Sequence, residues 1–213
     1  MIKVVISGTA TDIGKTWIAA RVITHLREAN IEVGARKPAQ SFDRGAELTD
    51  AHVLSQASGE PIEQVCPAHR WYEIAMAPPM AADALGQPSF TIADLVSENA
   101  PGPSNGVMLI EGAGGPLSPI AADGDTADLA RAHSADLVIL VADAGLGTIN
   151  AVRLSALAFH GFRVIVVLNR FDPSDDLHRR NREWLDGLGF EVSIDPQAVA
   201  LEIQGHLATH LKA

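Results

Sequence analysis

The sequence predicts an α/β fold in one domain, residues 1–213, with a parallel sheet covered by helices on both faces. Three observations predict it. Short apolar segments alternate with longer segments of helical spacing along the whole chain. The apolar segments, 137–141 and 163–168 above all, are continuous runs, as strands buried on both faces require. Between the first such segment and the first helical one stands Gly8-Thr9-Ala10-Thr11-Asp12-Ile13-Gly14-Lys15-Thr16, which fits G-x-x-x-x-G-K-[ST].

The elements follow in order. Residues 3–6 are a short β-branched strand, and 17–26 a helix with Ile18, Val22 and Leu26 along one side. Residues 32–37 form a second strand, expected beside the first and stopped by Pro38, whose ring keeps Lys37 extended. Residues 39–47 are loop-like and 48–56 helical. Pro61, Pro67, Pro78 and Pro79 make 60–79 irregular, with a short helix at 80–85. Thr91 caps a helix at 91–98 with Asp94 three residues on, and 100–106 turns. The strand 107–110 runs into Glu111-Gly112-Ala113-Gly114-Gly115. Then come helix 125–133, strand 137–141, helix 148–159, strand 163–168, polar helix 175–188, strand 190–194 and helix 198–211.

Composition narrows the function. Of 213 residues, 47% are hydrophobic and 20% charged, ordinary for a globular domain. The net charge of −10, without a basic run, argues against nucleic acid or an anionic membrane as partner. The single cysteine, Cys66, excludes an internal disulfide and reads as a buried or incidental thiol. A strand and the glycine loop occupy the N-terminus, where a signal peptide would stand, and no apolar run reaches membrane-spanning length, so a cytoplasmic location is expected.

The glycine loop is a P-loop, and with it the fold class becomes that of the P-loop NTPases. Gly8 and Gly14 let successive N–H groups converge on one anion, and the following helix start adds its own. Lys15 carries charge to the β/γ-phosphates, and Thr16 offers its hydroxyl to Mg²⁺. In open α/β sheets ligands bind outside the carboxyl ends of strands. Lys37, Glu111 and Asn169 all fall at such ends, as the P-loop does. Glu111 either holds Mg²⁺ or caps its loop. Lys37 is a second cation for a transferring phosphoryl group or a solvated lysine. Asp50 complements a helix N-terminus or supplies a second metal carboxylate. Asn169 meets a base edge or starts a turn, and Ser41 meets a polar substrate or nothing. Asp143 reads as a turn residue, and the eight histidines show no metal-ligand spacing.

The P-loop with Thr9, Thr11 and Asp12, then Lys37-Pro38, Glu111 to Gly115, and Gly147-Thr148-Ile149-Asn150 resemble dethiobiotin synthetase over the first 170 or so residues. That resemblance implies a homodimer using ATP and Mg²⁺ to join CO₂ to 7,8-diaminononanoate through a phosphorylated carbamate. It implies that Thr9, Thr11, Asp12, Ile13, Gly14, Lys15 and Thr16 bind the nucleotide, and that Thr16, Asp50 and Glu111 hold the metal. It gives catalytic roles to Lys15, Lys37 and Thr11, and substrate contacts to Thr11, Lys37, Ser41 and Gly114. Gly147 and Asn150 would reach the substrate's carboxylate from the second subunit, and Asn169 would read the purine.

The chain departs from the family at Asp12, commonly glutamate, and at Met80 and Ala151, often histidine. The region after about residue 188 is short, and base contacts come partly from there in the family. Weak discrimination among nucleoside triphosphates is therefore expected, tested by competition of CTP and GTP against ATP. The rival readings are a nucleotide-dependent switch, which usually carries an extra lysine inside the loop, a cobyrinate-type amidotransferase synthetase, which needs a glutaminase domain with a nucleophilic cysteine that 213 residues are too few to hold, and a divergent ligase for another small amine or acid.

Overall fold

A computed structural model describes residues 1–212 of the chain. From the N-terminus, β1 (Ile2–Gly8) leads through the glycine loop into α1 (Lys15–Glu28), and β2 (Val33–Arg36) follows. The long connection from there holds β3 (Gln40–Ser41), α2 (Asp50–Ser58), α3 (Ile62–Val65), β4 (Trp71–Tyr72), α4 (Pro78–Ala84) and α5 (Ile92–Glu98). After β5 (Val107–Glu111), a small ribbon of β6 (Pro119–Ala121) and β7 (Gly124–Asp125) precedes α6 (Thr126–Ala132). Then strands and helices alternate through β8 (Leu137–Asp143), α7 (Thr148–Ala158), β9 (Val164–Asn169), α8 (Asp176–Gly187), β10 (Glu191–Ser193) and α9 (Pro196–His210).

Six strands make one parallel sheet in the order β10-β9-β8-β1-β5-β2. Side chains of a strand alternate between faces, so a continuous apolar run feeds two cores. In β8, Leu137, Ile139 and Val141 enter the core beneath α1, α2 and α9. Val138, Leu140 and Ala142 enter the opposite core, with α4 to α8. No helix among the described residues is long and apolar enough to cross a membrane.

The second strand, expected beside the first, lies one place further out, because β5 pairs with both β1 and β2. β5 takes the interior place, although both strands are buried throughout. β2, shorter and carrying Gly34 and Arg36, forms the edge. This order aligns Ile6 with Glu111 and Arg36 with Ile110. Lys37 thus emerges beside Glu111, next to the strand that launches the P-loop. Strands β5 and β8 flank β1 on opposite sides, so the P-loop opens at a topological switch point.

Several boundaries also differ. The irregular stretch 60–79 contains α3, a three-residue turn of 3₁₀ helix and β4, and the 39–47 loop contains β3. Helix α4 begins at Pro78, because proline is tolerated in a first turn whose N–H groups have no helical partner. Helix α9 likewise begins at Pro196, with Asp195 accepting from Gln197 N–H. Cys66 is buried in the core, and that burial pushes its thiol pKa up to about 12.

Candidate active site

The P-loop is held from outside as much as by its own glycines. Gly14 has φ 94°, in the left-handed region, and a Cβ there would lie 2.1 Å from the Asn169 amide nitrogen. Asn169 Nδ2 donates to Ile13 O at 2.9 Å, and Arg170 Nη2 donates to Asp12 O at 3.0 Å. Thr9 N–H donates to Val141 O at 2.8 Å. The loop is therefore tied to the ends of β8 and β9. Arg170 escaped sequence reasoning, because its partner is 158 residues away and nothing local signals the pairing. Asp143, read as a turn residue, accepts from Gly145 N–H and also lies 3.5 Å from the Arg170 guanidinium.

Four polar side chains meet at the loop's mouth, from α1, α2, β5 and the residue that follows β2. Lys37 Nζ lies 2.6 Å from Asp50 Oδ2 and 2.7 Å from Glu111 Oε1. The Thr16 hydroxyl lies 2.8 Å from Asp50 Oδ1 and 2.9 Å from Glu111 Oε1. Lys37 is 3% exposed and Glu111 not at all. Thr49 caps α2, which frees the Asp50 carboxylate to face Lys37 and Thr16. Asp50 joins this cluster while still standing in the first turn of α2, where its charge complements the helix N-terminus.

Charge in this cluster is set by burial against pairing. Burial draws the Lys37 pKa down, but Asp50 and Glu111 outweigh it and hold the ammonium above the usual lysine range. The Lys37 charge in turn holds the Asp50 carboxyl down at about 2. Burial pushes Glu111 upward against the pull of Lys37. Lys15 is lowered, by burial first and by Lys37 second. Glu111 Oε2 is buried with no hydrogen-bond partner. An oxygen-only set of one hydroxyl and two carboxylates, with one carboxylate oxygen unspent, suits a magnesium ion that takes its remaining ligands from phosphate and water.

Two cavities flank the loop, and Gly14 lines both. The larger, ≈ 750 Å³, runs from Thr11, Lys15 and Thr16 past Lys37 and Asp50 to Ser41 and Gly114. The Ser41 hydroxyl donates to Met76 O, so toward the cavity it can only accept. The smaller, ≈ 490 Å³, lies on the far side, against Asn169 and Arg170. Gly112 is glycine for packing, since a Cβ there would lie 2.3 Å from a carbon of Thr126.

Residues 3–192 match the family model described as an AAA domain. The ATP-dependent dethiobiotin synthetase BioD of Anaeromyxobacter dehalogenans is 38% identical over 176 residues, covering 80% of this chain and 78% of the relative. The chain belongs to the dethiobiotin synthetase family. The BioD of Aquifex aeolicus is 31% identical, covering 98% of this chain and 95% of that one. Among solved structures, a plasmid partition protein from Borrelia burgdorferi superposes with TM-score 0.54 at 12% identity, covering 99% of this chain and 98% of that one. At that identity the likeness speaks to the fold alone.

Within this dethiobiotin synthetase family member, the residues named from sequence divide into three groups. Thr11, Asp12, Gly14, Lys15, Thr16, Lys37, Ser41, Asp50 and Gly114 line the larger cavity, with Glu111 buried behind it. Thr9 and Ile13 spend backbone groups on tying the loop to the sheet, and Asn169 commits its amide nitrogen to the same purpose. Gly147 and Asn150 are exposed at the start of α7 and line neither cavity.

Proposed function

We propose that the chain closes 7,8-diaminononanoate and CO₂ to dethiobiotin with ATP, in biotin biosynthesis. The observation that carries this reading is the cluster of buried Lys37 and Glu111 with half-buried Asp50 and Thr16. It stands between a P-loop and a cavity large enough for a second substrate. A nucleotide switch needs no such cavity beside its γ-phosphate. In this reading the whole chain, residues 1–213, is one ligase domain working in the cytoplasm.

The triphosphate lies on the P-loop, with the base in the smaller cavity and the diamine in the larger. One substrate amine adds to CO₂ and loses a proton, giving a carbamate. A carbamate oxygen attacks the γ-phosphorus and ADP leaves. The second amine then attacks the carbamoyl carbon and loses a proton, the C–O bond to phosphate breaks, and inorganic phosphate leaves as the cyclic urea closes. Lys37 stays charged because two carboxylates hold its proton, and its three N–H groups are spent on Asp50, Glu111 and the Gly112 carbonyl, so it turns to the phosphoryl group and carbamate by exchanging one of these partners for the ligand. Lys15 serves the β/γ-phosphates from the other side. Thr11 and Gly114 position the carbamate end, and Ser41 accepts from a substrate N–H. Thr16, Asp50 and Glu111 would hold Mg²⁺, which would supply positive charge against the triphosphate.

The protein works as a homodimer in this reading. Leu146, Leu154 and Leu157 are 92%, 62% and 72% exposed. With Asn150 they follow helical spacing along and just ahead of α7. A second copy covering this stripe would bring Gly147 and Asn150 to a site they do not line in their own chain.

Phosphate release from ATP and bicarbonate, measured with and without diaminononanoate, tests the function. Stimulation by the diamine with dethiobiotin as product is the expected result. Equal slow hydrolysis in both arms would overturn it.

A further inference from the structure

The smaller cavity has a wall that the family motifs do not mention. Trp17 directly follows Thr16 of the P-loop and lines this cavity together with Gly14. Its large side chain is 54% exposed, and no aromatic ring among the described residues pairs with it. Phe171, Ile194 and Pro196 contribute further apolar surface. The cavity's two polar side chains are largely committed elsewhere. Asn169 Nδ2 donates to Ile13 O, and the Arg170 guanidinium reaches Asp12 O and Asp143.

A ligand whose phosphates occupy the P-loop therefore meets, beyond Gly14, a bare indole and few free donors. An exposed indole face suits a planar heteroaromatic ring, and stacking is tolerant of base identity because every base has a π-face. We propose that Trp17 is the platform on which the nucleotide's base stacks, so that this site holds its nucleotide by ring area more than by base edge. The proposal rests on the reading that the P-loop takes a nucleoside triphosphate. It adds a residue and a recognition mode which that reading does not supply.

The test uses the full chain with Mg²⁺ and two ligands, ATP and inorganic tripolyphosphate, the second having the charge but no base. Binding is followed by calorimetry and by tryptophan emission in the wild type, Trp17→Phe and Trp17→Ala. Trp17→Ala is expected to weaken ATP binding by roughly 5- to 150-fold, the range of a lost base stack, and to leave tripolyphosphate within about twofold. Trp17→Phe keeps most of the ATP affinity. Emission of the wild type is quenched by ATP, much less by tripolyphosphate, and the ATP quench is lost in Trp17→Phe. Unchanged ATP affinity in Trp17→Ala overturns the proposal. So does equal weakening of both ligands, which would mean damage to the loop. Should the wild type bind ATP with this pattern and yet make no dethiobiotin, the proposed function falls and the stacking role stands. Normal dethiobiotin formation with ATP affinity insensitive to Trp17→Ala separates the two in the opposite sense.

Discussion

Replacing Lys37 by methionine isolates the charge of the one buried ammonium in the cluster, because the side-chain volume is nearly kept and only the ammonium is lost. In the wild type that ammonium meets Asp50 at 2.6 Å and Glu111 at 2.7 Å. Removing one partner of a buried ion pair costs about 3–5 kcal/mol, because the other charge stays desolvated. Here part of that cost is recovered. Burial already pushes Glu111 toward its neutral form, and Thr16 still bonds it. A net loss of about 2–4 kcal/mol is expected, which for a chain of this size lowers Tm by roughly 5–15 °C. Turnover should drop by about 10³, the upper end for loss of one donor to transition-state charge. ATP affinity should change less than about threefold, since Lys15 and the loop N–H groups remain. Thermal melts, calorimetric ATP binding and dethiobiotin formation on the same preparation give the three readings. A folded variant that has lost ATP binding in step with turnover would refute the reasoning and place Lys37 in the phosphate cradle. Retention of more than a tenth of wild-type turnover would refute it from the other side.

Three further outcomes follow from the geometry. Asp50→Asn keeps the acceptor facing Thr16 and removes a metal carboxylate, so half-saturating Mg²⁺ should rise about tenfold or more in turnover assays; an unchanged Mg²⁺ curve removes Asp50 from the metal set. His133 is buried, its ring within 3.1 Å of the Asn99 amide, and burial first and Lys3 second lower its pKa to about 4. The unfolded chain therefore takes this proton first, so stability is full above about pH 6.5, declines as pH falls toward 4, and is level below, by up to about 3 kcal/mol in all. Denaturant midpoints of the wild type minus those of His133→Gln should trace that slope; a flat difference contradicts it. Leu154→Asp with Leu157→Asp should turn a dimer into monomers in sedimentation and cut dethiobiotin formation while ATP binding persists, whereas an unaltered sedimentation coefficient removes α7 from the interface.

Much of this protein is written in local patterns. The P-loop, the apolar strands and the carboxyl-end positions of Lys37, Glu111 and Asn169 need only neighbours in sequence, because strand burial and glycine conformations are local demands. Strand order is not local. β2 and β5 are separated by a long connection and are both buried throughout, so neither strand's own residues say which of them pairs with β1. That order sets Lys37 against Glu111, a contact spanning 74 residues. Asp50 stands in the first turn of α2 as its sequence position suggests, and only the fold adds its contacts to Lys37 and Thr16. Arg170 and Trp17 carry no motif at all, and their meaning comes from what the fold brings to either side of Gly14. The residue types able to handle a phosphate were legible along the chain. Their pairing, charge state and division between two cavities come from contacts between distant segments, which no local spacing encodes.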